Sequence, residues 1–203
     1  GFAEIIQDGY VKPEDTKKFA GRIFKEAQRL ITLVNDVIKI SQLDEGKMVF
    51  AKETVDLYEE TREIFKRLEQ KAEEAGVHLY LYGQHRKVTT VKTILEEILF
   101  NLCDNGVKYN KQGGNLTVTI KGEEKRPQIL VEDTGIGIAP EDKNRIFERF
   151  YRVDKSHSKA IGGTGLGLSI VKHGSMFLGG EVKLESTVGE GSRFILTLPE
   201  ETE

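Results

Sequence analysis

The 203-residue sequence predicts an α+β fold in which an open mixed sheet is covered by helices on one face and preceded by a helical hairpin. Two observations predict this fold. Long helical patterns alternate with adjacent pairs of strand patterns, an order typical of helices stacked on one face of an open sheet. In addition, the apolar spacing changes at Gly46 from a helical stripe to the pattern of a strand. We therefore divide the chain into residues 1–46 and residues 47–203.

Residues 1–46 are predicted to form a helical hairpin. A short helix over Phe2–Gln7 precedes a turn at Asp8-Gly9, and a long helix runs from Pro13, a residue favoured in a first helical turn, to about Glu45. Apolar or small residues recur along the long helix at alternating steps of four and three: Ile23, Ala27, Leu30, Val34, Val37 and Ser41. This stripe fits packing within the chain or a bundle with a second chain, and we favour the bundle.

Residues 47–203 contain the alternating strand and helix patterns. Strands are predicted over residues 48–55, 77–82, 116–121, 128–132, 181–186 and 193–198. Helices are predicted over residues 57–75, 90–109, 140–147 and 166–177. The polar, glycine-rich segment 154–165 between the last two helices is interpreted as a mobile lid.

The overall composition excludes several classes of protein. Lysine and arginine number 30 against 33 acidic residues, so a net charge of −3 provides no global attraction to nucleic acid or to anionic lipid. Cys103 is the single cysteine, so no internal disulfide forms. No apolar run approaches the roughly 18 residues that cross a bilayer, and we expect no signal peptide. The first residue is not Met, and we expect the sequence to be part of a longer protein.

Two asparagines mark one side of the helix predicted over residues 90–109. Asn101 and Asn105 are four residues apart and therefore project from the same side, together with Lys108 and next to Tyr109. Asparagine is a poor residue for a helix interior, so a pair among leucines needs an explanation. Taken alone, the pair fits equally well an ordinary surface position and an oxygen ligand for Mg²⁺ beside a cation for phosphate.

Three further motifs follow in order along the chain. Asp133 ends a predicted strand and precedes Gly135 and Gly137, so its carboxylate can accept a hydrogen bond from an exocyclic amine while the backbone turns beneath a ring. An aromatic and basic segment occupies residues 145–152. The glycine-rich residues 162–170 then open a helix, which suits a polyphosphate because a helix begins with free N–H groups. Each motif alone also fits an ordinary turn, helix end or loop, but their joint occurrence indicates a nucleotide site.

The four motifs together resemble those of the histidine protein kinases of two-component signalling. NLCDNGVKY at 101–109 resembles the N box, DTGIGI at 133–138 the G1 box, RIFERFYRVD at 145–154 the F box and GGTGLGL at 162–168 the G2 box. The resemblance implies the Bergerat α/β sandwich of the GHKL superfamily, with ATP and Mg²⁺ as cofactors. Residues 1–46 resemble part of the dimerisation and phosphotransfer hairpin of these kinases, with the H box and its phosphoacceptor histidine missing.

The resemblance also implies a role for individual residues. Asn105 is expected to bind Mg²⁺, Asp133 to read the adenine amine, and Asn101, Asn105 and Lys108 to act in catalysis. The other expected nucleotide contacts are Tyr109, Gly135, Gly137, Ile138, Tyr151, Arg152, Gly163, Thr164, Gly165, Leu166, Gly167, Leu168 and Thr197. Thr197 is expected to contact adenine through a water molecule.

The function implied is transfer of the ATP γ-phosphoryl group to a histidine, for relay to a response regulator receiver domain. The full-length kinase is expected to be a homodimer through the hairpin, with this portion on the cytoplasmic side of a membrane-anchored bacterial protein. Without the phosphoacceptor, these residues are expected not to phosphorylate themselves. Alternatives are a catalytically silent, ATP-dependent conformational scaffold and an anti-sigma-type serine kinase. A gyrase-type ATPase is disfavoured because Asn101 stands where ATP-hydrolysing relatives have a glutamate general base.

Overall fold

The structure, a computed structural model, describes residues 1–45, 50–123, 126–153 and 163–199. The helices are α1 (Phe2–Gln7), α2 (Pro13–Glu45), α3 (Leu57–Ala75), α4 (Lys92–Lys108) and α5 (Gly167–Phe177), with a 3₁₀ turn at Arg145–Phe147. The strands are β1 (Glu53–Asp56), β2 (His78–Gly83), β3 (Lys87–Thr90), β4 (Asn115–Glu123), β5 (Arg126–Asp133), β6 (Glu181–Thr187) and β7 (Gly191–Thr197).

A five-stranded mixed sheet forms the centre of the described part of the chain. Its strand order is β2-β4-β5-β7-β6, with β2 parallel to β4 and the other neighbours antiparallel. Strands β1 and β3 form a separate antiparallel pair. The predicted open mixed sheet is confirmed, whereas β3 was missed and the first predicted strand is shorter, since residues 50–52 are not in a strand and 46–49 lie outside the described residues.

The helices pack on one face of this sheet. Alternate strand residues Leu116, Val118, Ile129 and Leu196 are fully buried, and α3, α4 and α5 contact the strands that carry them or their neighbours. Side chains at the intervening positions, such as the stacked and exposed pair Tyr80 and Tyr82, lie on the opposite face. The arrangement is the predicted sandwich with helices on one face, and it brings the end of α4 beside the end of β5.

Local sequence determines both ends of α3, whereas the helix predicted over residues 140–147 does not form. The Asp56 side chain caps α3 by accepting the N–H groups of Tyr58 and Glu59 at 3.0 and 3.2 Å, and Gly76 ends the helix with a φ of +65°. The helix predicted over residues 140–147 is wrong, because only the 3₁₀ turn forms there. Of that turn only Ile146 is buried, too little apolar surface to hold a longer helix.

The predicted helical hairpin is present in residues 1–45. The Phe2 ring packs edge-on against Phe19, with 5.6 Å between the ring centroids, and the chain turns at Gly9, whose φ is +73°. Further along α2, Ile40 is 1% exposed and packs with Leu166 and Ile170 of the second part. Packing within the chain therefore depends largely on the face that carries Ile40.

The apolar stripe predicted along α2 is on a different face. Leu30, Val34 and Val37 are 41–55% exposed, so the described residues of the single chain leave about half of each side chain uncovered. Among the described residues, no helix has both the length and the apolar content to cross a membrane.

Candidate functional site

The last turns of α4 carry the two asparagines. The side-chain amide of Asn101 donates to the backbone oxygen of Glu97 at 2.8 Å. Its Oδ1 faces the start of α5, because a Cβ added to Gly167 would lie 2.7 Å from that oxygen. Asn105 follows one turn later, is partly buried, and has no side-chain hydrogen bond to any residue of the described ranges. Its amide oxygen is thus available to a ligand.

Asp133 lies at the end of β5 and accepts several hydrogen bonds. Its Oδ1 accepts the N–H of Gly135 at 2.8 Å, and both the N–H and the hydroxyl of Ser192 donate to the carboxylate. Burial raises the pKa of Asp133, and these donors partly oppose that effect. The carboxylate is therefore fixed in orientation and poorly hydrated, which favours its use as an acceptor for a specific donor.

Two glycines allow the ends of α4 and β5 to meet. A Cβ on Gly135 would clash with the backbone oxygen of Tyr109, which also accepts the N–H of Ile136 at 3.1 Å. On the helix side, a Cβ on Gly106 would lie 2.5 Å from Leu116 Cδ1 and 3.6 Å from Asp133 Cβ. This packing explains a glycine within α4 despite its cost of about 1 kcal/mol relative to alanine.

Two cations converge on the start of the described glycine loop. Arg152 donates from Nη1 to the Gly163 oxygen at 3.0 Å, and a Cβ added to Gly163 would lie 2.5 Å from the Lys108 ammonium. The same ammonium lies 5.2 Å from the centre of the Tyr109 ring. Burial lowers the pKa of Lys108, as expected for a partly desolvated cation. The rest of the predicted lid, residues 154–162, lies outside the described residues.

The glycine loop is also attached to the hairpin. The Thr164 hydroxyl donates to Asp36 of α2 at 2.9 Å and accepts the N–H of Leu166 at 3.3 Å. Burial is the largest influence on the Asp36 carboxyl and raises its pKa. On the other side of the loop, Phe150 donates its N–H to the oxygen of Gly165 at 3.0 Å. Leu166 itself is buried among Ile40 and its neighbours, so its side chain does not line the site.

The rest of the turn after Asp133 rests on the β6–β7 hairpin. Gly137 has a φ of +67°, and a Cβ there would clash with the Thr187 backbone oxygen. The N–H of Ile138 donates to the hydroxyl of Ser186 at 2.9 Å. Gly137 and Ile138 thus hold the turn after Asp133 against the β6–β7 hairpin.

Besides Leu166, three of the predicted contact residues have side chains that lie away from Asn105, Lys108 and Asp133. The Tyr151 hydroxyl donates to Asp142 at 2.5 Å while its ring lies under the Arg145 guanidinium at 4.2 Å. The side chain of Leu168 packs against the main core. Thr197 pairs with Gln128 at the far end of β7 and accepts its side-chain N–H at 3.2 Å.

The strand register places Thr197 away from Asp133. Strands β5 and β7 are antiparallel, so the end of β5 meets the beginning of β7, and Ser192 is the residue opposite Asp133. Sequence reasoning missed Ser192. The signal available was its place immediately before the strand predicted over residues 193–198, five residues before Thr197.

Comparison with known proteins adds three findings. Residues 90–202 match the family described as histidine kinase-, DNA gyrase B-, and HSP90-like ATPase. Sensor protein SrrB of Staphylococcus aureus is 32% identical over 201 residues, which cover 98% of this chain and 34% of SrrB, so the chain spans about a third of that relative. Full-length ShkA in complex with AMPPNP superimposes with a TM-score of 0.81 at 27% identity, covering 93% of this chain and 40% of ShkA.

A second solved structure has a similar fold at lower identity. Histidine kinase ThkA in complex with the response regulator protein TrrA gives a TM-score of 0.77 at 23% identity. The match covers 99% of this chain and 56% of ThkA. The likeness therefore includes both the hairpin residues and the sheet of the chain.

Proposed function

The chain belongs to the family of histidine kinase-, DNA gyrase B-, and HSP90-like ATPases, and from this membership we propose that it is the ATP-binding kinase module of a sensor histidine kinase. Residues 47–203 are the catalytic part, and residues 1–46 belong to the dimerisation and phosphotransfer hairpin. The observation that carries the proposal is the arrangement around the last turn of α4, where Asp133 packs against Gly106, Gly163 lies against Lys108, and Asn105 lies in the same turn. Asn105, Asp133 and Gly163 are distant in sequence. They provide an amide, a carboxylate and a flexible glycine, which are three chemical types that an adenine nucleotide needs.

The adenine end of the site is assigned to Asp133. Its carboxylate, held by Gly135 and Ser192, accepts a hydrogen bond from the exocyclic amine. Gly135 and Gly137 let the turn after Asp133 pack directly against the backbone of Tyr109 and of Thr187, which fixes the position of the carboxylate. An acceptor that is partly buried discriminates well, because a base with a carbonyl oxygen at the same position leaves the carboxylate without its donor.

The phosphate end is assigned to Lys108, Arg152 and the first N–H groups of α5. The two cations neutralise phosphate charge, and the helix begins at Gly167 beside the same loop. Asn105 is the proposed Mg²⁺ ligand, since a neutral amide oxygen suits a hard cation that draws its other ligands from water and phosphate. The described residues contain no cluster of three His, Cys, Asp or Glu that would form an all-protein site. Bound Mg²⁺ supplies charge neutralisation on the phosphate oxygens.

Phosphoryl transfer to a supplied acceptor fits Asn101 better than hydrolysis. Its amide donates to Glu97 and has no group that takes a proton from water. Transfer of a phosphoryl group mainly requires position and charge stabilisation, both of which these residues provide. The acceptor is proposed to be a histidine on a hairpin, with a response regulator receiver domain next in the relay, consistent with the named partner of ThkA.

The uncovered stripe on α2 supports a homodimer in the full-length kinase. Leu30, Val34 and Val37 form a line of exposed apolar side chains at coiled-coil spacing. We place the module on the cytoplasmic side of a membrane-anchored bacterial sensor, where ATP is available. No direct contact with membrane or nucleic acid is proposed.

A transfer assay tests the function. The chain is incubated with labelled ATP, Mg²⁺ and a separate hairpin that carries an H box. We expect an acid-labile label on the hairpin and none on the chain. Asn105→Ala should abolish the labelling, and Asn144→Ala, a change at an exposed asparagine, should leave it intact.

Other outcomes identify the alternatives. ATP binding without transfer to any hairpin would favour the silent scaffold. An acid-stable label on a serine of an added protein would favour the serine kinase. Rapid release of free phosphate would contradict the role given to Asn101.

A further inference from the structure

We infer that Ser186 on β6 is a positioning residue that holds the adenine-reading carboxylate and the glycine turn in register. The inference rests on the function proposed above, because it gives Ser186 a role in base recognition through Asp133. We give Ser186 no direct contact with the ligand. It acts through two neighbours, Ser192 and Ile138.

Strand register places three polar residues side by side. Asp133 of β5 pairs with Ser192 of β7, and Ser192 pairs in turn with Ser186 of β6. Because the three residues are directly opposite one another, their side chains lie on the same face of the sheet. They form a polar row that leads from the adenine acceptor to the edge strand.

Hydrogen bonds connect this row without a gap. The Ser186 hydroxyl lies 2.8 Å from the Gly191 oxygen and 3.1 Å from the Ser192 hydroxyl, and it accepts the N–H of Ile138 at 2.9 Å. Each hydroxyl has one proton, and Ser186 donates its proton to the Gly191 oxygen. The Ser192 proton is therefore shared between the Ser186 hydroxyl and the Asp133 carboxylate. One side chain thus connects the turn after Asp133 to the group that orients Asp133.

Backbone packing makes the turn sensitive to this connection. The Ile136 oxygen accepts the N–H of Gly189 at 2.8 Å, and Gly137 lies so close to Thr187 that a Cβ would clash. The turn therefore rests directly on the β6–β7 hairpin, with no side chain between them. Loss of the Ser186 hydroxyl would leave the N–H of Ile138 without its partner and remove one support of the Ser192 hydroxyl.

A comparison of two nucleotides separates positioning from general stability. The wild-type chain, Ser186→Ala and Ser186→Thr are titrated with Mg·ATP and with purine riboside triphosphate, which lacks the exocyclic amine. We expect Ser186→Ala to bind ATP about five- to tenfold more weakly and to bind the analogue as wild type does, because only ATP uses Asp133. Ser186→Thr keeps the hydroxyl and should restore the preference for ATP.

Ser175→Ala is the matched control. Ser175 is a buried serine on α5 whose hydroxyl donates to the Lys172 oxygen at 2.9 Å, away from Asp133. It should leave the ratio of the two affinities unchanged. Amide hydrogen exchange supplies a second readout that needs no nucleotide, since the N–H of Ile138 should exchange faster in Ser186→Ala and not in Ser175→Ala.

The outcomes distinguish this inference from the proposed function. Equal weakening of both nucleotides, or an unchanged preference with unchanged Ile138 exchange, would overturn the role of Ser186 while leaving the ATP site in place. A wild-type chain that binds neither nucleotide would overturn the proposed function itself. In that case the role of Ser186 in base recognition would also be refuted.

Discussion

Replacing Asp133 with asparagine should separate nucleotide binding from folding stability. The carboxylate accepts three donors, the N–H of Gly135 and both the N–H and hydroxyl of Ser192. An asparagine oxygen keeps the bond from Gly135, and its amide faces the N–H of Ser192, so one hydrogen bond of about 0.5–1.5 kcal/mol is lost. Removal of a partly desolvated charge offsets that loss. We expect the free energy of unfolding to change by about 1 kcal/mol or less.

Asp133→Asn should change the free energy of ATP binding more than it changes the free energy of unfolding. The exocyclic amine would lose a hydrogen bond to a charged acceptor, worth about 1.5–3 kcal/mol, which corresponds to a Kd roughly 10- to 150-fold higher. Isothermal titration with Mg·AMPPNP and urea unfolding of the same samples measure the two effects. Glu132→Gln is the control, because Glu132 is the adjacent carboxylate and pairs with Arg193 on the other face of the sheet. A Kd within twofold of wild type would refute the role of Asp133.

The same variant should alter the pH dependence of stability. Because burial raises the pKa of Asp133, the folded chain holds this proton more tightly than the unfolded chain. The contribution of this carboxyl to folding is thus complete below its unfolded pKa of about 3.9 and is lost as pH rises through the folded pKa. Stability of Asp133→Asn relative to wild type should therefore increase from about pH 4 towards neutrality. A difference independent of pH in urea unfolding would contradict the assigned burial.

Three further changes test other parts of the site. Lys108→Met should weaken ATP binding about tenfold in calorimetry and leave adenosine binding almost unchanged, because it removes a phosphate contact. Equal weakening of ATP and adenosine binding would contradict the assignment of Lys108 to the phosphates. Asp36→Ala should accelerate hydrogen exchange in α2, and adding Thr164→Val should cause little further change, since both remove the 2.9 Å bond; fully additive effects would deny that coupling. Val34→Glu should shift sedimentation towards monomer without changing ATP affinity, and an unchanged oligomeric state would argue against the bundle.

The motifs with short-range signals could be predicted from the sequence. Spacing alone put Asn101, Asn105 and Lys108 on one side of α4, because helix geometry fixes which residues share a face. Asp133 and its glycines were recognised because a strand that ends in a glycine turn is a local pattern. Gly163 was identified from composition, and the structure places Lys108 and Arg152 against it.

Features that depend on long-range packing could not be predicted in the same way. The pairing of Ser192 with Asp133 is a property of strand register, which local sequence does not specify, and Thr197 was chosen in its place. The face of α2 that packs on α5 is selected by Ile40, outside the stripe that the spacing emphasised. Strand β3 is only four residues long and is stabilised by pairing with β1, a contact that no periodicity reveals.

Paramagnetic relaxation by Mn²⁺ is the most direct test of a single shared nucleotide site. Mn²⁺ replaces Mg²⁺ and broadens the resonances of nuclei close to it. With AMPPNP present, we expect selective broadening of the side-chain amide of Asn105, then of Asn101 and the backbone amide of Gly163, and none without nucleotide. Broadening centred near Thr197, or no broadening of Asn105 at saturating nucleotide, would contradict the proposed site.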